Sequence, residues 1–564
     1  MKKYIVLLII AYSFGSCKKG FLDPNPTDRL AETSVWTSPS LIEAALNYNY
    51  NDLSFGIYTR GGIADDNQML ANITDEVASD YEGYEGRNVF VNGELSTDNI
   101  RSSRFTRLGW NESYNYIARA NEFIERLQTV TVLSAEKTAA YEGEIKTLRA
   151  WRYFNLLKQF GGVPLISTPF KLGDDYLNVS RATIAETLAF ILADLDAGIA
   201  KLPDQPSVKG RIDKLIAKSF RSRVLLYAAS PLYTGGTSDN AKWQAAAVAA
   251  KEVIDAGRYS LEPDFEKYRK SFITYDPASS EIIFAREHDA IYGTGPTGNG
   301  LLPPYSHGPL GAGGLSYYAP LQQLVDDYET SNGLSITDPL SGYNPQNPYI
   351  NRDPRFNAFI YHHGSVLNGR TLDYRVDGTD RPAGGVYVNP TGYNTRKFVN
   401  EARFNANGTG ITPGANDPVP WIHIRYAEIL LNYAEAINEA EGPANAYQSI
   451  NLIRQRAGLP NLTPDLSQSQ LRDKIRHERK IELVFEEHRF WDVRRWKILE
   501  STQSITLGGI AITGATPTAV TYAPVTAEGY DLIQTRVFLQ KHYFWPIQRA
   551  ELNANPNLTQ TPGY

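Results

Sequence analysis

The chain has 564 residues, 42% hydrophobic and 21% charged. That is enough apolar material for a sizeable core, and it excludes a disordered or fibrous protein. Lysine and arginine number 56 against 62 aspartates and glutamates, so a net charge of −6 argues against a nucleic-acid binder, and the single cysteine excludes an intramolecular disulfide or a cysteine-built zinc site.

Met1-Lys2-Lys3 is a short basic start, followed by an apolar run over 4–12 and the small-residue stretch Ser13-Phe14-Gly15-Ser16-Cys17. The run is too short to span a bilayer but fits the core of an export signal. The only cysteine stands where such a signal is cut. The pattern predicts a lipoprotein signal over 1–16, with Cys17 as the lipid-bearing first residue of a mature chain 17–564. A plain secretory signal with an incidental cysteine is the alternative. No later stretch approaches 18 apolar residues, so the rest is expected to be tethered rather than embedded.

Helical periodicity dominates the chain beyond the signal, beginning with helices at about 40–55 and 107–128. Ile145, Leu148, Trp151, Phe154 and Leu157 form one apolar face that stops at Gly161-Gly162-Val163-Pro164. Thr183 and Glu186 form a capping-box pair before the stripe Ile184, Leu188, Ile191, Leu195, Ile199 and Leu202, closed by Pro203. Further helices are predicted at about 212–229, 240–256, 424–441, 444–457 and 468–498. Their pairing across short breaks, with small residues over 245–250, reads as tetratricopeptide-like helical hairpins.

Between about 258 and 420 the periodicity fades. Residues 293–314 contain eight glycines and thirteen tyrosines fall between Tyr268 and Tyr393. This region reads as long loops with short strands such as 281–286, and loops of that length are usually functional. Two more such regions are expected at about 57–105 and 503–535. The expected fold is therefore mainly α: a helical-hairpin scaffold over about 36–257 and 421–500, with a loop-rich ligand-binding insert over about 258–420.

Tests for catalytic chemistry give little. Gly293-Thr294-Gly295-Pro296-Thr297-Gly298 matches a dinucleotide motif by letter, but Pro303-Pro304 stands where a helix must begin. His362-His363 point to opposite faces of a strand, and Asp65-Asp66-Asn67 lacks calcium-loop spacing. Among 62 carboxylates no hydrolytic pair stands out. Trp151, Trp243, Trp491 and Trp496 are expected in the core, and the charged run 477–480 is expected on a solvated helix face.

Several passages, in order, resemble one family. They are Leu148-Arg149-Ala150-Trp151-Arg152-Tyr153-Phe154, Asn351-Arg352-Asp353-Pro354-Arg355-Phe356, Arg425-Tyr426-Ala427-Glu428, Phe490-Trp491-Asp492-Val493-Arg494-Arg495-Trp496 and the closing stretch from Asn555 to Tyr564. With the lipoprotein signal they resemble the SusD/RagB nutrient-binding lipoproteins of Bacteroidota over essentially the whole chain. The resemblance implies a non-catalytic lid at the outer membrane, lipid-anchored and surface-exposed. It would bind an oligosaccharide or polysaccharide (in some members a peptide) and pass it to a SusC-like TonB-dependent transporter, without cofactor, metal or nucleic acid. A glycan hydrolase and a purely structural repeat adaptor are the competing readings.

A glycan site needs flat rings for the C–H faces of sugars and short polar groups for their hydroxyls. The loops at 78–92 and 288–320 have that composition. The residues expected to bind carbohydrate are Tyr81, Tyr84, Arg87 and Asn88 from the first, and Tyr292, Tyr305, His307, Tyr317 and Tyr318 from the second.

Overall fold

Helices form where the sequence carries both an apolar stripe and its stop signals. In the computed structural model α1 (Pro39–Tyr50), α2 (Trp110–Leu127), α3 (Ala135–Phe160), α4 (Ile184–Lys201), α5 (Lys214–Ala229) and α6 (Asn240–Asp255) come first. The structure describes residues 32–51, 53, 59–60, 69–79, 87–100, 109–175, 179–206, 208–288, 300–301, 303–382, 384, 387–412, 417–527 and 535–564. After a long interval come α7 (Tyr426–Glu441), α8 (Tyr447–Arg456), α9 (Gln468–Glu482) and α10 (His488–Arg495). The predicted capping box is made: Glu186 N donates to the Thr183 hydroxyl at 3.1 Å, and Thr183 N donates to the Glu186 carboxylate at 2.8 Å. α3 ends at Gly161, whose φ of +75° admits glycine readily.

Neighbouring helices pack in order, α2 on α3, α3 on α4, α4 on α5 and α5 on α6. Close approach needs small residues. A Cβ on Gly198 would lie 2.8 Å from the Thr147 hydroxyl oxygen, and one on Gly143 would lie 2.8 Å from Leu202. The next partner of α6 is α7, about 170 residues further along the chain. Ala246 and Ala247 meet Ala434 and Ala436 in a buried seam with Trp243 and Ile437. One helical stack therefore continues across the loop-rich interval.

That interval has an apolar core of its own, built from Tyr268, Phe272, Tyr318, Tyr328, Phe356, Phe359, Tyr361, Tyr374, Tyr393 and Phe398. Three of its tyrosine hydroxyls find internal acceptors: Tyr374 donates to Asn394 at 2.7 Å, Tyr361 to Glu401 at 2.8 Å and Tyr393 to Gln322 at 2.8 Å. The strands are short and antiparallel. β1 (Thr59–Arg60) pairs β4 (Gly300–Leu301), and β2 (Val77–Ala78) pairs β5 (Ala319–Pro320). β3 (Ile282–Arg286) pairs β6 (Trp421–Arg425), which joins the two ends of the interval.

Two expectations fail here. Residues 503–535, read as long loops with short strands, contain the longest strands among the described residues, β7 (Gly508–Thr516) and β8 (Ala519–Thr526), paired as a hairpin with Ile510 and Ile512 buried. The helix expected over 468–498 is broken at 483–487, where Phe485 and Glu487 adopt φ of 62° and 64°. The break has a physical cause. It aims Phe485 N at the Glu76 carboxylate (3.1 Å) and the Glu487 carboxylate at Leu70 N (3.0 Å). Glu486 reaches Arg425 at 2.8 Å and Lys397 at 2.6 Å.

A third correction concerns 477–480. Glu478, Arg479 and Lys480 are buried, not solvated. Glu478 meets Arg355 and Arg454, Arg479 meets Asp492 at 2.8 Å, and Lys480 meets Asp75 at 2.7 Å. Arg425 contacts Glu281 at 2.8 Å and Glu482 at 2.6 Å, and Glu482 also binds Arg355 and Arg456. Helix α9 lies between the scaffold and the loop-rich core, so its charges are buried with a partner for each. Burial would raise the Glu482 carboxyl, but Arg456, Arg425 and Arg355 hold it well below the ordinary carboxylate range.

Candidate ligand-binding face

The two loops singled out in the sequence are brought together. Val77 pairs with Pro320 and Ala78 with Ala319, so the segment entering 78–92 is bonded to the end of 288–320. Met69 Sδ and His307 Nε2 lie 3.4 Å apart across the same joint. Residues 303–317 fold back tightly, with Leu315 N donating to Tyr305 O and Tyr317 N to Ser306 O, both at 2.8 Å. A Cβ on Gly314 would fall 2.1 Å from Gly308 O, so this fold-back requires glycine.

Not all the expected residues serve a surface. Tyr318 and His307 are fully buried and pack with ring centroids 4.4 Å apart and planes tilted by 32°. His307 Nδ1 meets the Ser306 hydroxyl at 2.8 Å, and burial pushes the imidazole down to about 3, which keeps it neutral. Tyr317 is only 4% exposed. These three belong to the loop core, because a glycine-rich stretch still has to bury its large rings. Tyr305 and Asn88 are half-buried, and the Asn88 side-chain oxygen has no hydrogen-bond partner among the described residues. Arg87 opens the short helix Arg87–Val91, but its side chain lies outside the described residues, as do Cys17, Tyr81, Tyr84 and Tyr292.

The structure adds Tyr387, which sequence reasoning missed. It is half-buried and meets the edge of Tyr317 at 5.8 Å, so the buried ring supports a more exposed one. Its signal was present: Gly384-Gly385-Val386-Tyr387 has the same glycine-with-ring pattern as 293–318.

The other candidates separate by chemistry. His362 Nδ1 bonds His363 O at 2.7 Å and its Nε2 bonds Asn357 at 2.8 Å, while His363 Nε2 bonds Pro517 O at 2.8 Å. Among the described residues no group of three or more His, Cys, Asp or Glu is placed to hold a metal ion. The glycine motif at 293–298 and Asp65-Asp66-Asn67 lie outside the described residues. A cavity of about 510 Å³ beside α2 is walled by Trp110, Tyr114, Ile166, Phe170 and Leu558. There Tyr114 donates to Pro164 O at 2.8 Å, and Asn111, Asn115, Thr168 and Asn555 stand beside the rings of Trp110 and Phe170. An interior cavity of about 70 Å³ holds Lys158, His423, Glu487 and His488. Burial lowers Lys158 to about 7 and raises Glu487 to about 7. Among the described residues no helix is long and apolar enough to cross a membrane.

Comparison with known proteins agrees with this architecture. A family profile described as "SusD family" matches residues 280–564, just over half of the chain, and one described as "Starch-binding associating with outer membrane" matches 21–226. The chain is 26% identical to SusD-like protein P2 of Formosa agariphila, over 88% of this chain and 91% of that one. A SusD-like protein structure from Bacteroides fragilis superposes with a TM-score of 0.77 at 28% identity, covering 96% of this chain and all of the other. A SusD-like carbohydrate binding protein from the same species superposes with a TM-score of 0.74 at 26% identity, covering 93% and 100%. With its helical stack, its loop-rich core and matches that run nearly end to end, the chain belongs to the SusD family.

Proposed function

We propose that this protein is a non-catalytic, lipid-anchored glycan-binding protein of the outer membrane that delivers its ligand to a SusC-like TonB-dependent transporter. Cys17 would carry the lipid. The binding face is the joint of 78–92 with 288–320, extended by Tyr387. The observation that carries the reading is the pairing of β2 with β5. It ties Val77-Ala78, at the entry to the first stretch, to Ala319-Pro320, at the end of the second, although the two lie far apart in the chain. A fixed platform suits capture, because little ordering is then required when the ligand binds. Support comes from the starch-binding description of the matching profile and the carbohydrate-binding name of a structural relative.

Among the described residues, the two carboxylates just before β2 are engaged within the fold, which favours binding over hydrolysis. Asp75 is held by Lys480, Arg489 and Gln503, each at 2.7 Å. Glu76 is bonded by Thr74 and by Phe485 N. Acids fixed in this way are poorly placed to donate or accept protons at a glycosidic bond. The test is calorimetry of the mature chain against plant, host and microbial polysaccharides and peptides, with reducing ends assayed in parallel. Saturable binding of a polysaccharide without product supports the proposal. Steady release of reducing ends, or indifference to every ligand, refutes it.

A further inference from the structure

The cavity of about 510 Å³ beside α2 shares no residue with the loop face. Three segments wall it: the start of α2, the α3–α4 connection at 164–170 with Val179, and the stretch from Glu551 to Leu558. They are tied to one another. Tyr114 donates to Pro164 O at 2.8 Å, Asn121 to Ile166 O at 2.9 Å, Asn555 to Val179 O at 2.8 Å and Arg181 to Thr559 O at 3.2 Å. The hollow is thus built into the fold, and its volume falls within the roughly 300–1,000 Å³ of small-molecule sites.

Its polar groups differ in what they have left to offer. Asn111 and Asn115, one helical turn apart on α2, and the Thr168 hydroxyl are exposed in the wall and have no hydrogen-bond partner among the described residues. Asn555 is already engaged, by Val179 O and by Asn557 N at 3.0 Å. The rings differ too. Trp110 is 4% exposed and backs the wall, whereas Phe170 is 49% exposed.

Three classes of ligand meet an obstacle here. Among the described residues no lysine, arginine or histidine lines the cavity, and its one charged group is Glu551, which disfavours an anion. A hydrocarbon chain would take water from Asn111, Asn115 and Thr168 without replacing its hydrogen bonds. An extended peptide finds little backbone to pair with. Pro164 and Pro169 have no N–H, Ile166 N and O are held by Tyr153 and Asn121, and Pro164 O and Val179 O by Tyr114 and Asn555. A neutral polyhydroxylated ligand meets none of these obstacles. Carboxamides donate and accept as its hydroxyls do, and the Phe170 ring takes its C–H-rich face.

We infer that this cavity is a second glycan site, taking a short neutral oligosaccharide independently of the loop face. The test is saturation-transfer NMR on the mature chain carrying Tyr387→Ala, which weakens the loop face, with maltotriose, cellotriose, laminaritriose, mannotriose and xylotriose. At least one should receive saturation on its ring protons. Adding Asn111→Ala/Asn115→Ala, or Phe170→Ala, should weaken that binding about tenfold, with the melting temperature unmoved because all three side chains are exposed. Trigalacturonate and acetyl-Ala-Phe-Ala-amide should show no transfer that depends on these residues. If the loop face binds no glycan, the parent and Tyr387→Ala proteins give equal signals and the pocket result still stands. Absence of transfer to all five sugars overturns the inference. So does transfer that survives both pocket variants, or pocket-dependent transfer to the uronate or the peptide in place of a neutral sugar.

Discussion

The helical stack and the loop-rich core each bury their large rings but are held together differently. In the stack, neighbouring helices meet through apolar stripes and small residues, as where Gly143 and Gly198 let α3 meet α4, with buried pairs such as Arg149 and Asp194 added between them. In the loop-rich core, the chain is tied by tyrosine hydroxyls and buried ion pairs between residues far apart, such as Arg425 with Glu281 and Glu482. Helix α9 belongs to both, with Leu471 and Ile475 facing the stack and Glu478, Lys480 and Glu482 facing the loops. Periodicity thus builds the support, while paired charges fix the loops upon it.

The sharpest way to break this contrast is to orphan one charge. Glu482→Gln leaves Arg355, Arg425 and Arg456 short of a carboxylate, and should cost about 3–5 kcal/mol in chemical denaturation. Removing the exposed α6 pair with Lys251→Ala should leave the denaturation midpoint where it was. An equal effect of the two would erase the distinction. A scaffold change of similar size is Trp491→Ala. This ring is buried against Phe490 and Trp545, so the variant should lose about 3–5 kcal/mol while any ligand affinity per folded molecule stays unchanged. Lost binding at an unchanged melting temperature would move Trp491 from support to ligand site.

A smaller effect concerns pH. Burial pushes Glu76 up to about 7 against the hydrogen bond from Phe485 N, with the Asp75 charge adding to the rise. The folded chain then keeps a proton that the unfolded chain releases, so this contribution is fully present below pH 4.5 and is lost as pH rises towards 7. Glu76→Gln should flatten the fall in melting temperature across that interval and melt above the parent at pH 8. An unchanged slope would show that Glu76 does not titrate there.

The stack was legible because its signals are local. Thr183 and Glu186 start α4, Gly161 ends α3, and Ala246 and Ala247 mark the seam with α7. The break at 483–487 was not legible, since its causes are Glu76, Leu70, Arg425 and Lys397, all distant in sequence. The β7–β8 hairpin was obscured by Gly508, Gly509, Gly514 and Pro517, which read as loop. The described ends of the two chosen loops meet at Val77-Ala78 and Ala319-Pro320, yet composition could not tell which rings are buried. Tyr318 and Tyr387 stand in similar glycine-rich surroundings, and only tertiary packing separates a core ring from a more exposed one.

The central claim, that outward rings on a rigid joint capture a glycan, is tested most directly on Tyr387→Ala by titrating a polysaccharide ligand while recording the melting curve. The expected outcome is an affinity loss of about tenfold with the melting temperature unmoved. Undiminished affinity, or a loss explained by unfolding, would contradict it.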